Sequence, residues 1–436
     1  MEDILIAKDT NLNLRNKIIY QVFPRQHSNK SNFEGVVDDL DRIKSLGVDI
    51  LYLLPIHPIG QKNKKGTLGC PYSIQNYRLV NDDLGGINEF IKLIQESHSR
   101  GLKVMIDVVY NHTSRDSYLL KTHPEWFYKN KNGEFANRVG DWWDVTDLDY
   151  SNKELWEELI STLEYYVSLG VDGFRCDVAS LVPIEFWKEA RLRLKKINPN
   201  IILLAETIHL SFLKYIRDMG FEAYTDNEVY EVFDMEYDYD VYPLFQEYIE
   251  TGKGLNEWLK AILEQESRFP RNYIKTHGLE NHDSKRVASS IKDSNKLRNL
   301  NALMFFLKGT TFIYAGQEAC DQKLESLFDI DLIDWSDLNK YGIQDLFKRL
   351  TTIKKHPLFR DGIFNIEFHD EEIAHITYEN EHQLMECIAN LGNLNIEINS
   401  KTRDGEHINL INEQNVTVNN GKLRLNSDPI VILSRK

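Results

Sequence analysis

Short apolar runs of strand length recur along most of this chain, and amphipathic segments separate them. The eight predicted strands are Ile18–Phe23, Asp49–Leu54, Val104–Val109, Val171–Cys176, Ile201–Ala205, Glu222–Thr225, Tyr273–Thr276 and Thr311–Ala315. The predicted helices include Phe33–Leu46, Ile87–Ser99, Lys153–Leu169 and Pro183–Ile197. Apolar strands that alternate with helices are typical of a parallel sheet covered on both faces. Eight such units predict a closed (β/α)₈ barrel, and no Gly-rich phosphate-binding motif follows the first strand to indicate a dinucleotide fold.

Two stretches depart from this alternation. Residues 111–152 form a long connection after the third strand, rich in aromatic and polar residues, and such connections are usually functional. Beyond about His356, short β-type stretches such as Ile373–Tyr378 and Ile430–Leu433 replace the helical periodicity. We therefore predict a barrel over residues 1–110 and 153–356, a short inserted B region over 111–152, and a small C-terminal antiparallel β domain over 357–436.

Charge and cysteine usage restrict the partners and the compartment. The net charge of −15 argues against nucleic acid and anionic membranes, because both are negatively charged. The start of the chain is polar, and no window approaches the roughly 20 apolar residues of a membrane span. Four scattered cysteines without paired spacing indicate free thiols in a reducing compartment: Cys70, Cys176, Cys320 and Cys387. We predict a cytoplasmic protein with no nucleic-acid or membrane partner.

Four short clusters of charged residues end four of the apolar runs. They are Asp107-Val-Val-Tyr-Asn-His112, Gly173-Phe-Arg-Cys-Asp177, Leu203-Leu-Ala-Glu206 and Glu280-Asn-His-Asp283. Barrel enzymes place catalytic groups at the carboxyl ends of their strands, so we expect these clusters to meet at one edge. Taken singly, each cluster also fits a structural role, such as a buried ion pair, a solvated strand end, or a turn or helix cap.

Two of the carboxyl groups are expected to differ in their protonation. Side chains alternate along a strand, so Arg175 and Asp177 face the same way, and the guanidinium favours ionised Asp177. Glu206 follows an apolar strand, and apolar surroundings raise the pKa of a carboxyl group. An ionised Asp177 would suit a nucleophile and a protonated Glu206 would suit a proton donor, while a buried Arg–Asp ion pair and a solvated strand end remain the structural alternatives.

The order and context of these clusters resemble the α-amylase superfamily, glycoside hydrolase family 13, and the resemblance covers nearly the whole chain. Further similar stretches are Ile19-Tyr-Gln-Val-Phe-Pro24, Tyr52-Leu-Leu-Pro-Ile-His57, Val145-Thr-Asp-Leu-Asp149 and Ile313-Tyr-Ala-Gly-Gln-Glu318. The resemblance implies a TIM barrel with a B domain and three catalytic carboxyl groups. In it, Asp177 is the nucleophile, Glu206 is the general acid and base, and Asp283 holds the 2- and 3-hydroxyls of the reacting sugar.

The resemblance also implies binding and supporting roles for six further residues. It implies that Tyr72 stacks under the reacting glucose, that His112 reaches the 6-hydroxyl, and that His282 donates to the hydroxyls that Asp283 holds. It also implies that Arg175 lies beside the nucleophile, that Asp107 braces Arg175, and that Arg286 anchors a loop or a carboxylate. Trp142 and Trp143 in the B region are weaker candidates for stacking on further sugars.

The chain departs from the family pattern near the possible metal site. Ser180 and Leu181 stand where many relatives have Lys-His, which serves the leaving-group side and the metal. Asn111 matches a family calcium ligand, but calcium needs about six to eight oxygens, and the short B region offers few. We assign no metal ligand and expect that no cofactor is required, with calcium left open.

These features predict a glycoside hydrolase that cleaves α-1,4-glucosidic bonds of maltooligosaccharides or starch fragments by double displacement with retention. A 4-α-glucanotransferase or an exo- or α-1,6-acting glucosidase would use the same machinery. A catalytically silent sugar-binding homologue would tolerate the loss of a carboxylate, and none is missing. The sequence does not give chain-length preference, linkage, endo or exo action, or oligomeric state.

Overall fold

The barrel predicted from the strand and helix alternation is present. The computed structural model describes residues 6–139, 141–369 and 372–436. Within these residues, eight parallel strands close into a barrel in which each strand pairs with its neighbours in sequence. We label them β1 to β8: Ile18–Val22, Ile50–Leu53, Lys103–Val108, Gly173–Cys176, Ile202–Ala205, Met235–Tyr237, Lys275–His277 and Gly309–Tyr314. The predicted barrel segment starts at residue 1, and residues 1–5 lie outside the described part.

Helices surround the barrel and connect its strands. The longer ones are Gly86–Ser99, Lys153–Ser168, Ile184–Ile197, Leu210–Asp218, Tyr242–Thr251, Leu255–Arg268, Ser294–Phe306 and Ile343–Lys354. The shorter ones are Pro24–His27, Phe33–Val37, Leu40–Ser45, Tyr118–Thr122, Asp226–Val229, Val287–Ser290 and Leu358–Asp361. The predicted single helix Phe33–Leu46 is thus two helices, and the Asp39 carboxylate between them is held by His27 and Arg42.

Side-chain alternation places an apolar layer inside the barrel and a polar layer at its carboxyl end. The apolar layer consists of Ile19, Ile50, Tyr52, Met105, Ile202, Leu204, Met235, Tyr237, Ile274, Phe312 and Tyr314. The polar layer contains Gln21, Asp107 and Arg175. Each lies two residues beyond an inward-facing position of its strand and therefore also faces inward, and each is at most 1% exposed. Because Asp107 and Arg175 are register partners on β3 and β4, the two side chains lie next to each other.

The prediction of the sixth strand was wrong. Residues 222–225 precede the short helix Asp226–Val229, and β6 is Met235–Tyr237. The strand escaped prediction because Glu236, which is fully buried, interrupts its apolar pattern. Lys275 on β7 compensates this charge, with its Nζ 3.1 Å from Glu236 Oε2 and 2.6 Å from Asp226 Oδ2.

The two stretches outside the barrel alternation form β structure. In the B region, His112–Ser114 pairs antiparallel with Val145–Asp147. The first C-terminal sheet contains Ile363–Glu367, Ile373–Glu379, Gln383–Asn390 and Ile430–Arg435. The second contains Glu397–Asn399, Lys422–Arg424, Asn415–Asn419 and Gly405–Ile408. Pairing is antiparallel throughout, which confirms the predicted C-terminal β fold.

Two further sequence expectations concern thiols and membranes. The four cysteines are free, as their scattered spacing indicated. Among the described residues, no helix combines the length and the apolar character needed to cross a bilayer.

Candidate active site

Arg175 on β4 lies among three carboxylates at the carboxyl end of the barrel. Its Nη1 donates to Asp107 Oδ1 and Oδ2 at 3.0 and 3.2 Å, and to Asp177 Oδ1 at 2.9 Å. Its Nη2 lies 2.8 Å from Glu206 Oε1. One buried guanidinium therefore joins carboxylates from β3, from the end of β4 and from the end of β5.

Asp177 and Glu206 continue the backbone pairing of their strands. The Asp177 amide donates to Val108 O at 2.9 Å, and the Glu206 amide donates to Cys176 O at 3.0 Å. Burial and the nearby Glu206 charge raise the pKa of Asp177 well above its ordinary value, and Arg175 opposes this. Arg175 lowers this pKa, as the sequence indicated, but burial and the Glu206 charge outweigh its effect.

Val178, the residue after Asp177, turns the backbone towards Glu206. Its φ of 35° and ψ of 47° fall in the left-handed region, which is unfavourable for a β-branched residue. In this conformation the Val178 amide donates to Glu206 Oε2 at 2.8 Å. Both Glu206 oxygens thus have polar partners, whereas the sequence suggested apolar surroundings. The strained turn holds the Glu206 carboxyl group beside Asp177.

His282 is held by polar groups from three segments. Its Nδ1 lies 3.0 Å from Gln21 Nε2, and its Nε2 lies 2.7 Å from Tyr72 Oη and 2.9 Å from Asp283 Oδ2. The Tyr72 and His282 rings are stacked, with centroids 5.3 Å apart and an interplanar angle of 13°. Tyr72 Oη also donates to Asp107 Oδ2 at 2.9 Å, so the stacked pair connects to the Arg175 network.

Asp283 is the most accessible of the three predicted catalytic carboxyl groups. Its side chain is 53% exposed, whereas the side chains of Asp177 and Glu206 are 10% and 11% exposed. Desolvation raises the pKa of Asp283, but the charge and hydrogen bond of His282 outweigh it, and the pKa lies below its ordinary value. Asp283 therefore offers an ionised carboxylate to a ligand in the cleft.

His112 lies at the start of the B region and is 4% exposed. Burial lowers its pKa to about 4, so the imidazole is neutral near neutral pH. Asn111 Nδ2 lies 3.2 Å from His112 Nδ1, and the Trp142 ring contacts the imidazole with centroids 5.3 Å apart. A neutral, held imidazole of this kind can exchange hydrogen bonds with a hydroxyl group.

Arg286 anchors the loops behind the candidate site. It is fully buried, with Nη1 2.8 Å from Glu280 Oε1 and Nη2 2.6 Å from Glu325 Oε1. Its guanidinium lies 4.0 Å from the centroid of the Tyr314 ring, and Nη2 also donates to Ala315 O. These contacts fix the segments after β7 and β8, and none of them involves Asp177, Glu206 or Asp283.

Four residues near these groups were not singled out from the sequence: Gln21, Tyr52, Tyr237 and Tyr239. Tyr52 Oη donates to Asp107 Oδ2 at 2.5 Å, and the Tyr237 ring centroid lies 5.7 Å from the Arg175 guanidinium. Tyr239 stacks on Tyr237 and accepts a hydrogen bond from Asn281 Nδ2 at its hydroxyl. Gln21 and Tyr52 lie at inward-facing positions of strands that were predicted, and this alternation could have identified them. Tyr237 and Tyr239 could not be found in this way, because strand β6 was not predicted.

The structure also places the residues that depart from the family pattern and the two tryptophans of the B region. Ser180 and Leu181 lie in the 3₁₀ turn Ala179–Leu181, and Leu181 packs against an apolar cluster that includes Ile216. Trp143 is 58% exposed, whereas Trp142 contacts His112.

The surroundings of Asn111 do not fit a calcium ion. Asn111 lines a cavity of about 570 Å³ together with Arg138 and Asp147. Arg138 Nη1 lies 3.3 Å from Asp147 Oδ2, and Nη2 donates to Leu148 O at 3.1 Å, so a cation already lies against these oxygens. Burial raises the pKa of Asp147 to about 6, and Arg138 opposes this. In the described part of the chain, no group of three or more His, Cys, Asp and Glu is placed to hold a metal.

The arrangement can supply two chemical functions at one point of a ligand. Asp177 and Glu206 contact adjacent nitrogens of one guanidinium, so their carboxyl groups lie close together. Closely spaced carboxyl groups suit a nucleophile and a proton donor acting on the same bond. Asp283, His282 and Tyr72 add an exposed carboxylate, a hydrogen-bonding ring and an aromatic face.

Comparison with known proteins gives matches over nearly the whole chain. The family described as “Alpha amylase, catalytic domain” matches residues 21–133 and 118–340, and “Bacterial Alpha amylase C-terminal domain” matches residues 365–432. The crystal structure of an alpha-amylase from Lactobacillus plantarum is 41% identical with a TM-score of 0.94, covering 97% of this chain and 100% of that chain. That of a noncanonic maltogenic alpha-amylase from Thermotoga neapolitana is 31% identical with a TM-score of 0.86 at the same coverage.

A curated relative is longer than this chain. The alpha-1,4-glucan:maltose-1-phosphate maltosyltransferase of Picrophilus torridus is 26% identical over 415 residues. The alignment covers 87% of this chain and 61% of that protein, so the chain spans less than two thirds of that relative.

Proposed function

The chain belongs to the alpha-amylase family, and on that premise we propose that it is a retaining α-glucan hydrolase. Its substrates are maltooligosaccharides or starch fragments, and the bond cleaved is the α-1,4-glucosidic bond. The single observation that carries the proposal is the sharing of the Arg175 guanidinium by Asp177 and Glu206. This contact keeps both carboxyl groups within reach of one glycosidic bond, as double displacement requires.

In the first step, Asp177 attacks the anomeric carbon while Glu206 protonates the departing glycosidic oxygen. Burial and mutual repulsion favour retention of one proton by the Asp177 and Glu206 pair, as the raised pKa of Asp177 indicates. Substrate binding places that proton on Glu206, next to the leaving oxygen. The products of the step are a β-linked glycosyl-enzyme and a free leaving saccharide.

In the second step, Glu206 removes a proton from water, which attacks the anomeric carbon and releases Asp177. Asp283 and His282 bind the 2- and 3-hydroxyls of the reacting sugar, and the ionised Asp283 supports the oxocarbenium-like transition state. Tyr72 stacks on the sugar ring, and neutral His112 binds the 6-hydroxyl. Two inversions at the anomeric carbon return the α configuration.

The test is hydrolysis of maltoheptaose by the wild type and by Asp177→Asn. We expect the substitution to lower kcat by about 10³-fold or more, because the amide cannot form the glycosyl-enzyme. Asp83→Asn, at an exposed acidic position outside the network, is the matched control and should keep wild-type activity. Wild-type rates in Asp177→Asn would reject the mechanism.

A glycosyl transferase is the second candidate, favoured by the maltosyltransferase relative that aligns with 87% of this chain. Transfer and hydrolysis share the glycosyl-enzyme and differ in whether a sugar or water attacks it. The same maltoheptaose time course separates them, because a transferase forms products longer than the substrate and a hydrolase forms only shorter ones. Release of glucose alone from maltoheptaose would indicate an exo-acting glucosidase. Cleavage of isomaltose would indicate an α-1,6-acting glucosidase.

Arg138 is proposed to brace the B region in place of a metal ion, supported by its contacts with Asp147 and Leu148. A cytoplasmic location is likewise proposed, because the four free thiols suit a reducing compartment. The partner is the α-glucan substrate, and the net charge of −15 disfavours nucleic acid and anionic membranes.

A further inference from the structure

Residues 61–69 belong to the long connection that follows β2, and we call them the mouth strap. Its first anchor is in the B region, where Lys65 Nζ lies 3.0 Å from Asp144 Oδ1. The Asp144 side chain is 3% exposed and that of Lys65 is 20% exposed, so this ion pair is shielded from water. Lys65 Nζ also lies 4.6 Å from the centroid of the Trp143 ring, and Gln61 N donates to Asp116 Oδ2 at 3.0 Å.

The second anchor of the mouth strap is the segment after β8. Leu68 N donates to Phe328 O at 2.9 Å, and the backbone N and side-chain Oγ1 of Thr67 donate to Asp329 Oδ1 at 2.9 and 2.6 Å. Gly66 has a φ of 59°, and a Cβ there would lie 2.5 Å from Phe328 Cβ, so the two segments are in close contact. The strap is therefore in contact with both the B region and the segment after β8, and Lys65 Nζ lies 4.6 and 5.9 Å from the ring centroids of Trp143 and Phe328.

The mouth strap runs next to the sugar-binding groups. On one side, Lys65 Nζ lies 4.6 Å from the centroid of the Trp143 ring, and the ring of the preceding residue, Trp142, contacts His112 with centroids 5.3 Å apart. On the other side, Tyr72 follows three residues after the strap and stacks on His282, the neighbour of Asp283 in the chain. Ser73 Oγ donates to Asp144 O at 3.1 Å, which holds the segment after the strap against the B region. The strap therefore lies next to the segments that carry His112 and Asp283.

The place of the strap next to Asp283 and His112 determines which part of a bound glucose it faces, and this step rests on the proposed function. Asp283 binds the 2- and 3-hydroxyls of the reacting glucose, and His112 binds the 6-hydroxyl. On a glucose ring, the 4-hydroxyl lies between the 3-hydroxyl and the carbon that carries the 6-hydroxymethyl group. In an α-1,4-glucan the preceding sugars extend from that 4-hydroxyl, towards the non-reducing end.

We propose that the mouth strap, latched by Lys65 and Asp144, closes the non-reducing-end side of the cleft. Only a short saccharide fits between the strap and Asp177. The enzyme therefore works from the non-reducing end of α-1,4-glucans and releases one product of short, constant length. The leaving saccharide lies on the Glu206 side and is not limited by the strap.

The test compares two forms of p-nitrophenyl maltoheptaoside, one free and one with its non-reducing 4- and 6-hydroxyls blocked by an ethylidene group. We expect the wild type to cleave the free form at least about tenfold faster, because the block collides with the strap. Lys65→Ala and Asp329→Ala each release one anchor, and both should bring the two rates closer together. Lys65→Arg keeps the ion pair, Lys62→Ala changes an exposed neighbour on the same strap, and both should behave as wild type.

Equal rates on the two substrates in the wild type, with products of many lengths from the first samples, would overturn the proposal. So would a wild-type preference for the free form that both anchor variants retain. Failure to cleave either substrate would instead refute the hydrolase function itself. Thermal unfolding of each variant identifies any variant that does not fold. If an anchor variant does not fold, the wild-type rates on the free and the blocked substrate still test the proposal.

Discussion

Arg175 carries one positive charge and meets three carboxylates at hydrogen-bond distance: Asp107, Asp177 and Glu206. With all three ionised, the group would have a net negative charge in a buried site, which is costly. Tyr52 and Tyr72 both donate hydrogen bonds to Asp107 Oδ2. Burial and the negative charge of Glu206 raise the pKa of Asp177, and the charge of Asp107 adds to this.

This charge coupling predicts a pH effect with a definite sign. Glu206→Gln removes a negative charge that raises the pKa of Asp177, so that pKa falls and Asp177 stays ionised at lower pH. We expect the acid limb of the kcat/KM profile to move to lower pH with α-glucosyl fluoride, whose leaving group needs no proton. Glu185→Gln, at a side chain that is 67% exposed, is the control and should leave the limb in place. An unchanged or upward-shifted limb in Glu206→Gln would contradict the coupling.

At the scale of elements, the sequence predicted the barrel well where the elements were apolar or clearly amphipathic. Seven of the eight strands fall at their predicted positions, because their burial shows directly as apolar runs. β6 could not be predicted because its buried Glu236 depends on Lys275, which is distant in the sequence. The second shortfall is Phe33–Leu46, which is divided at Asp38 and Asp39.

The B region gives a prediction about metal dependence. Arg138 holds Asp147, which is 1% exposed, and Leu148 O, so it supplies the positive charge that braces this segment. We expect EDTA to leave the melting temperature and the activity of the wild type unchanged. Arg138→Ala should lower the free energy of unfolding by about 2 kcal/mol, because it leaves the buried Asp147 without its cation.

The matched control for this experiment is Arg78→Ala, which removes an exposed pair with Glu158 and should cost less than about 1 kcal/mol. A clear fall in the wild-type melting temperature on adding EDTA, restored by calcium, would show that a metal braces the B region instead.

At the scale of the whole molecule, the candidate site is a consequence of barrel closure. The carboxyl ends of all the strands meet at one rim, so four clusters far apart in sequence could be placed together from their positions after strands. Tyr237 and the mouth strap could not be assigned in this way, and for Gln21 and Tyr52 the alternation along their strands indicated only that they face inward. Their contacts depend on partners from other strands and loops, such as Asp107, Arg175 and Asp144, and no local pattern identifies those partners.

The measurement that tests the central claim most directly is the anomeric configuration of freshly released product, followed by proton NMR during hydrolysis of maltoheptaose. Asp177 and Glu206 held together by Arg175 predict two displacements at the anomeric carbon. The α anomer should therefore appear first and then equilibrate with the β anomer by mutarotation. Initial release of the β anomer would mean a single displacement by water and would contradict the assigned roles of both carboxyl groups.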